Sequence, residues 1–555
     1  MKKIIFAITT FLMLGAVFAQ KADEQEIELP DVTTVISGGA LTAGKDAIPD
    51  YKDILPDSST SAVELPDLGS VDDSEVKANA RMQTKSDKDV FAEGRIGGGF
   101  PLTFTGNFSI YRTTGNSPFE INFNHESYEG LGGNKAQDGY FLRTTGVSAL
   151  KEFNSATARN KLSATYVTSN NGLQLNSPSF TDEVQHSIVL DYDGNKNFKN
   201  GMFIAGGAGG SVYNRYGTTY KGAADTANAF ETSAKTLWLN PNFGFGYMNN
   251  KFLIGFDVAY STELNLKSSD SLEKAPHASS AESVHRGQFT INTSYTADHA
   301  DIWAKAAAVI GNSIGDNKVI VPFALGTHLA FFEGRDSLPV TLALEGGCDS
   351  IQNRIDLLES KYRYSVAASL PVETTDWYGK AKLTLPVHTA FNIAAAAEYR
   401  KTAFDNGIWY AGYDVTGAEL SSGYYALVCD KRTDFNTSVE FTAVVKDFKF
   451  TGRWNAFWMD VPVLEVPHSL EAGIFYQESS ARWSAGASIK QAMGEDADAM
   501  PDLSADVAVK ASRSIRLALE LNDVIKLVTN KTRDYAASSY KARGGNAMLL
   551  VKFQF

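Results

Sequence analysis

The chain has 555 residues, of which 43% are hydrophobic, and its formal net charge is -13. An acidic balance of this size argues against nucleic acid as a partner. No run reaches the roughly 18 consecutive apolar residues that would predict a membrane-spanning helix.

The first 19 residues have the pattern of a secretory signal peptide. Lys2 and Lys3 give a positive start, the apolar run 4–18 follows, and Val17-Phe18-Ala19 is a small-residue cleavage pattern. The apolar run is too short to span a bilayer as a helix. We therefore expect residues 1–19 to be removed and the exported chain to start at Gln20.

Residues 20–88 form an acidic arm whose composition differs from the rest of the chain. Pro-Asp occurs four times in it, beginning at Pro30, Pro49, Pro56 and Pro66. Aromatic residues are few, and the density of proline and acid disfavours a packed core. The arm is predicted to be mostly disordered and periplasmic. It serves either as a spacer or as a segment that docks on a periplasmic or inner-membrane partner.

From residue 89 to residue 555 the sequence alternates between apolar and polar residues in short segments. Examples are Phe104 to Ile110, Phe252 to Tyr260, and Leu503 to Val509. This period of two is typical of strands with one apolar face. At about 20 residues for each strand and its connection, the segment holds 20–24 strands. We predict 22, because bacterial outer-membrane barrels have even numbers of strands.

The connections between these strands are expected to alternate between short and long. Between about 333 and 435 the alternation is not clean. The predicted short connections are 248–250, 298–300, 446–447 and 478–479, and the predicted long ones are 128–139, 169–183, 214–231, 264–283 and 524–544.

The chain ends on an alternating segment in which Leu549, Val551, Phe553 and Phe555 share one face. A terminal strand of this kind must be paired on both edges if it lies in a membrane, because an open edge leaves backbone groups unsatisfied in hydrocarbon. The segment resembles the C-terminal sorting strand of Gram-negative outer-membrane barrels. The fold class is thus all-β, a transmembrane antiparallel barrel over 89–555, and the resemblance implies the barrel assembly machinery and outer-membrane lipid as partners.

Two further segments resemble parts of TonB-dependent receptors. Near the last hairpin, Asn522-Asp523, Tyr540, Arg543 and Gly544 are similar to residues that approach the final strand of those barrels. The second segment resembles the N-terminal box through which such receptors touch TonB, and we treat it as a candidate periplasmic docking motif. It consists of Glu28, Leu29, Pro30, Asp31, Val32, Thr33, Thr34 and Val35.

The resemblance implies a transport or receptor barrel in the outer membrane. Such receptors carry a plug of well over a hundred residues, whereas only residues 20–88 lie between the predicted signal and the first strand. We therefore expect a receptor-like barrel without a full plug, whose lumen is partly occluded by the arm, by infolded loops or by a partner protein.

No catalytic, cofactor or metal motif is evident, and the chain is not expected to be an enzyme. The eight histidines are scattered, and the glycines 206–210 lack the lysine of a phosphate-binding loop. Cys348 and Cys429 either form one disulfide or stay free. Alternating charges such as Lys380 and Lys382, or Arg516 and Glu520, are expected to face a polar lumen.

The predicted function is uptake or passage of an unknown small solute through the outer membrane. Two alternatives fit the same sequence: a passive porin or channel for hydrophobic substrates, and a surface-exposed structural or adhesive barrel. The substrate is set by loops that carry no recognisable motif.

Overall fold

The structure is a computed structural model. The chain divides into two units, 1–47 and 48–555, and every described residue belongs to the second unit. The described residues are 90–113, 115–130, 139–220, 233–266, 283–314, 319–331, 339–388, 390–404, 407–478, 481–494, 500–529 and 531–555.

In this part of the chain, 22 strands form one closed antiparallel barrel, which confirms the predicted fold class and strand number. Four more strands lie outside the barrel wall: β12 pairs with the end of β11, and β15, β18 and β19 form a separate small sheet. In chain order the strands are β1 (Phe91–Phe100), β2 (Thr103–Arg112), β3 (Phe119–Glu129), β4 (Phe141–Asn154), β5 (Ala158–Gly172), β6 (Phe180–Asn197), β7 (Met202–Thr219), β8 (Ser233–Met248), β9 (Phe252–Asn265), β10 (Ser283–Ala297), β11 (Ala300–Gly311), β12 (Val319–Ile320), β13 (Phe323–Phe331), β14 (Val340–Ile351), β15 (Ser365–Val366), β16 (Thr374–His388), β17 (Phe391–Thr402), β18 (Ile408–Ala411), β19 (Tyr425–Asp430), β20 (Thr433–Val445), β21 (Phe448–Phe457), β22 (His468–Gln477), β23 (Trp483–Met493), β24 (Asp502–Lys510), β25 (Ile515–Asn522) and β26 (Asn546–Gln554).

The helices of the described ranges are short. They are the α-helices α1 (Ile355–Lys361) and α2 (Val524–Thr529) and the 3-10 helix Asn312–Ile314. None of them is long and apolar enough to cross a membrane.

The alternation in sequence becomes two faces of the wall. In β10, Phe289 and Ile291 are exposed on the outside, whereas Thr290 and Asn292 are buried on the inside. An apolar outer face and a polar inner face reverse the pattern of a water-soluble barrel and are typical of barrels that stand in lipid.

The last strand closes the barrel. β26 pairs with β25 on one edge and with β1 on the other. The chain end is tied down as well, because the amide of Phe555 donates to the carbonyl of Ala92 at 2.7 Å.

The connections at the two ends of the barrel differ in length. The end at which β1 begins and β26 finishes has short turns, such as 298–299 and 446–447. We call it the short-turn end. The opposite, long-loop end carries 352–373, 403–432 and 523–545. The first two of these loops fall where the sequence showed no clean alternation, and they contain α1, β15, β18 and β19.

Candidate functional site

Three long loops fold inward at the long-loop end and pack on one another. We call residues 352–373, 403–432 and 531–545 the cap. Their apolar side chains form one buried cluster, which also takes in wall residues such as Phe180 and Tyr213. The cap members of this cluster are Ile355, Leu358, Tyr362, Tyr364, Val366, Ala367, Leu370, Trp409, Ala411, Tyr413, Tyr424, Tyr425, Leu427 and Tyr540.

The first anchor of the cap is a buried ion pair. Glu359 of α1 accepts hydrogen bonds from Arg215 Nε and from the hydroxyl of Tyr213, both at 2.8 Å. Its other carboxylate oxygen accepts the amide of Ala367 at 2.9 Å. The side chains of Arg215 and Glu359 are both fully buried. Since Tyr213 and Arg215 lie on the inner face of β7, the carboxylate holds α1 inside the barrel mouth.

A second anchor lies at the start of α1. The guanidinium of Arg354 stands 3.9 Å from the ring centroid of Trp238 and donates to the hydroxyl of Ser211 at 2.6 Å. Arg354 also pairs with Asp356. A cation on an indole face, desolvated by the surrounding wall, contributes about 1–2 kcal/mol.

A third anchor holds the end of the first loop. Glu373, which is fully buried, accepts a hydrogen bond from Arg286 Nε of β10 at 2.9 Å. The hydroxyls of Ser313 and Ser350 donate to the same carboxylate. The first loop is thus fixed to the inner wall at three points.

The last loop is anchored on β3, four strands from β7 in the ring. The hydroxyl of Tyr128, on β3, donates to the carbonyl of Gly544 at 3.0 Å. Arg543 pairs with Glu126 at 2.8 Å and stands 4.5 Å from the ring centroid of Tyr128. The cap loops leave the wall at β14–β16, β17–β20 and β25–β26, and their anchors lie on β3, β7, β8 and β10. The cap therefore reaches across the mouth.

Tyrosine rings make the centre of the cap. Tyr364 stacks in parallel on Tyr540, and Tyr535 meets Tyr364 edge-on. Tyr364 has φ of +62°, which is unusual for a bulky residue and is retained where surrounding packing imposes it. The hydroxyl of Tyr540 donates to the carbonyl of Gly423 at 2.8 Å.

Gly423 is required where two loops touch. Its φ is +86°, and a Cβ at this position would lie 2.5 Å from the carbonyl oxygen of Asn176. At this point the loop 403–432 lies so close to the connection between β5 and β6 that no side chain larger than that of glycine fits without a shift.

Burial fixes the protonation of the cap. It raises the pKa values of Tyr413 and Tyr424 well above their usual range, and it raises the pKa of Cys429 to about 11. These groups stay protonated near neutral pH. The hydroxyl of Tyr413 donates to the carbonyl of Arg363.

The wall below the cap carries a cross-strand ladder of opposite charges. Glu440 of β20 pairs with Arg453 of β21 at 3.2 Å. The next residues in the same row are Glu471, Lys490 and Asp502, each directly opposite its neighbour. Opposite charges facing one another across strands stabilise the sheet.

The charged residues singled out in the sequence lie on the same inner face. Lys380 approaches Glu398 at 3.7 Å, and Glu520 pairs with Lys552 at 3.1 Å. Lys382 and Arg516 occupy equivalent alternating positions on β16 and β25.

The predicted residues of the terminal strand lie on the outer face of β26. Leu549 and Phe555 are exposed, whereas Leu550 between them is fully buried on the inside. Val551 and Phe553 alternate with the inner residues in the same way. Their pairing with β1 closes the sheet, and their role in sorting stays a prediction. The candidate docking motif Glu28–Val35, together with the arm and the predicted signal peptide, lies outside the described residues.

Two other features of the sequence have structural roles. The glycines 206–210 lie in β7, where a Cβ on Gly209 would come within 3.2 Å of the indole of Trp238. Cys348 and Cys429 are free thiols. In the described ranges, no group of three or more His, Cys, Asp or Glu side chains is arranged to hold a metal ion.

The cap itself was not predicted from the sequence. A usable signal was the concentration of tyrosine, because eight of the 23 tyrosines lie in three short segments that the strand pattern left unexplained. They are Tyr362, Tyr364, Tyr410, Tyr413, Tyr424, Tyr425, Tyr535 and Tyr540.

No protein-family model and no curated protein matches the sequence. Solved structures do match the fold. The FrpB iron transporter from Neisseria meningitidis superposes with a TM-score of 0.59 at 10% identity, over 85% of this chain and 82% of that one. The siderophore receptor PirA from Acinetobacter baumannii gives a TM-score of 0.59 at 9% identity, over 85% and 81%. The copper transporter OprC gives 0.60 at 10% identity, over 84% and 80%.

These structures are TonB-dependent receptor barrels. The predicted resemblance is confirmed at the level of fold: the chain has the 22-stranded barrel of such receptors. The matched proteins are named as iron and copper transporters and a siderophore receptor, and that this chain is not an enzyme stays a prediction.

Proposed function

We propose that the chain is a transport barrel of the Gram-negative outer membrane, which binds and passes a small solute and is closed at rest by its own loops. The observation that carries this proposal is the cap. Long loops turn into the barrel mouth and are fixed there by Glu359, Arg354 and Glu373. The likeness to transporter barrels supports the same reading.

The cap favours gated passage over the two alternatives. A passive porin needs an open aqueous path, whereas here a layer of buried tyrosines spans the mouth. An adhesive barrel presents its loops outward to a partner, whereas the three longest described loops are committed to the inside. The short-turn end then faces the periplasm, as it does in barrels of this kind.

The domain organisation is part of the proposal. Residues 1–19 serve as a signal peptide, 20–88 as a periplasmic arm, and 89–555 as the barrel. The arm is too short for a full receptor plug, so the cap does the occluding. Glu28–Val35 is the proposed contact with an inner-membrane energy-coupling partner.

Uptake measurements test this function. Cells with and without the chain are compared for uptake of labelled small solutes, starting with ferric siderophores and copper because the matched structures carry such names. If uptake depends on the chain and stops when an uncoupler collapses the inner-membrane potential, an energy-coupled receptor is supported. Uptake that ignores the uncoupler indicates a porin. Equal uptake in both strains, together with loss of surface attachment, indicates the adhesive barrel.

A photocrosslinker at Val32 tests the coupling contact in living cells. A reproducible adduct with one discrete periplasmic or inner-membrane protein supports docking. Labelling equal to that of a scrambled motif of the same composition leaves the arm as a spacer.

A further inference from the structure

Four basic side chains stand in one row where the last strand meets the first. Lys510 lies directly opposite Arg516, and Arg516 lies directly opposite Lys552. Lys552 in turn lies opposite Arg95 of β1. All four occupy inner-face positions of β24, β25, β26 and β1, since their neighbours Val509, Leu517, Val551 and Ile96 point outward. We call these four residues the basic row.

The basic row brings four charges of like sign together. In the row of Glu440, by contrast, the charges alternate in sign through Arg453 and Glu471. Like charges directly opposite one another destabilise a sheet. Lys552 has a carboxylate partner in Glu520 at 3.1 Å. Within the described ranges, Lys510 and Arg516 have no carboxylate partner within 4.0 Å. Among the described residues, the side chain of Arg516 donates to the carbonyl of Ala481.

The basic row lies at the short-turn end. Lys510 is the last residue of β24, and Arg516 is the second residue of β25. Further basic residues, Arg482 and Arg513, lie in the neighbouring turns. This concentration is unusual in a chain whose net charge is -13, and it forms a surface that suits an acidic partner.

The chain itself supplies such a partner beside the row. Residues 50–75 contain eight acids and one base, which gives a net charge of -7. The acids are Asp50, Asp53, Asp57, Glu64, Asp67, Asp72, Asp73 and Glu75, and the base is Lys52.

The covalent connection places this segment within reach. Residue 90 starts the described chain one residue before β1, and β1 carries Arg95 of the basic row. The connecting residues 76–89 number 14, so when extended they span up to about 45–50 Å. A tethered segment has a high effective concentration at a surface next to its tether.

We propose that the acidic segment 50–75 docks on the basic row at the short-turn end of the barrel. Docking places carboxylates beside Lys510 and Arg516, which have no carboxylate partner among the described residues. The motif Glu28–Val35 stays outside the docked segment and available to a partner. The inference goes beyond the transport function and does not depend on it.

Photocrosslinking within the full-length protein in detergent tests the docking. A photoreactive residue replaces Leu65, and its adducts are located by mass spectrometry. We expect adducts concentrated in 482–520 and 546–555. In the double variant Lys510→Gln/Arg516→Gln we expect their yield to fall by about five-fold or more. Raising the salt from about 0.05 to 0.5 M should have a similar effect, because the Debye length shortens from more than 10 Å to a few ångströms.

The matched control is Lys380→Gln/Lys382→Gln, which removes two lysines from the inner face of β16, away from the basic row. A second variant leaves the barrel untouched: Asp67, Asp72 and Asp73 are changed to Asn, and Glu75 to Gln. It should lose adducts as the row variant does. Heat-modifiable migration in gels confirms that each barrel is folded. Equal losses in the row variant and the control, adducts spread evenly over the barrel, or adducts only with a separate protein would each overturn the proposal.

Discussion

The two ends of this barrel treat charge and aromatic surface in opposite ways. At the long-loop end, charged groups such as Glu359 are buried, paired and covered by tyrosine. At the short-turn end, Lys510 and Arg516 are neighbours of like sign with no carboxylate within salt-bridge distance in the described ranges. The same strands run between both ends. The difference therefore arises from the loops and from the positions of the charged residues along the inner face. Glu359 at the first end is paired within the barrel, whereas Lys510 and Arg516 at the second end form part of the proposed docking surface.

At the long-loop end, removing the charge of Glu359 should produce the largest effect. Glu359→Gln removes the carboxylate that accepts a hydrogen bond from the buried Arg215, and breaking a buried pair of this kind costs about 3–5 kcal/mol. The cost should appear as local opening, because Glu359 joins α1 both to the wall residue Arg215 and to the amide of Ala367. Hydrogen–deuterium exchange of peptides covering 355–371 measures it.

The control for this variant is Glu440→Gln, which breaks a pair of similar length on the inner wall. Both side chains of that pair are about half exposed, and such pairs contribute about 0–1 kcal/mol. Similar exchange in the two variants would show that burial at the cap has no special role.

In the wall between the two ends, the cost of a substitution should depend on whether the residue lies on the outer or the inner face. Val551→Arg places a charge on the outer face of β26 and is expected to cost about 2–4 kcal/mol near the midplane of the bilayer. Gln554→Arg, on the inner face, should cost much less. Urea titration of protein folded into lipid vesicles compares them, and equal costs would mean that the two faces do not meet lipid and water.

A smaller effect is expected from crowding two cap loops. Gly423→Ala forces a positive φ on a residue with a Cβ and pushes that Cβ against Asn176, at a cost of about 1–3 kcal/mol. Gly379→Ala is the matched control, because a Cβ there meets nothing within 4 Å. Exchange of peptides covering 418–428 should rise in the first variant only, and no difference would argue against close contact of the loops.

The smallest effect is a change in thiol reactivity. Burial raises the pKa of Cys429 to about 11, so at pH 8 roughly one thiol in a thousand is ionised and reactive. Maleimide should label Cys429 slowly in the intact protein and faster in Glu359→Gln, as followed by peptide mass spectrometry. Fast labelling of the intact protein would show that the cap is open already.

The strands could be predicted from sequence and the cap could not, for one physical reason. Residues such as Phe289 and Thr290 alternate because each strand separates two environments, and that constraint is local. Glu359 and Arg215 are 144 positions apart in sequence, and Tyr364 meets Tyr540 across a still longer interval. Long-range contacts of this kind leave no periodicity, so the segment 333–435, which holds two of the three cap loops, shows no clean alternation in sequence.

The place where β26 meets β1 was predicted in part. Leu549, Val551, Phe553 and Phe555 showed one apolar face, and the structure places that face outside. The basic row was not predicted, because Arg95 and Lys510 come into one row only through the register of β1, β26, β25 and β24.

Single-channel conductance across planar bilayers tests the central claim, that the cap closes the barrel, most directly. Replacing 355–371 by a short Gly-Ser linker should convert a silent or rarely opening protein into one with large, steady conductance. Replacing 495–499 by residues of the same kind should leave it silent. A full-length protein that conducts steadily, with no increase when 355–371 is replaced, would contradict the account.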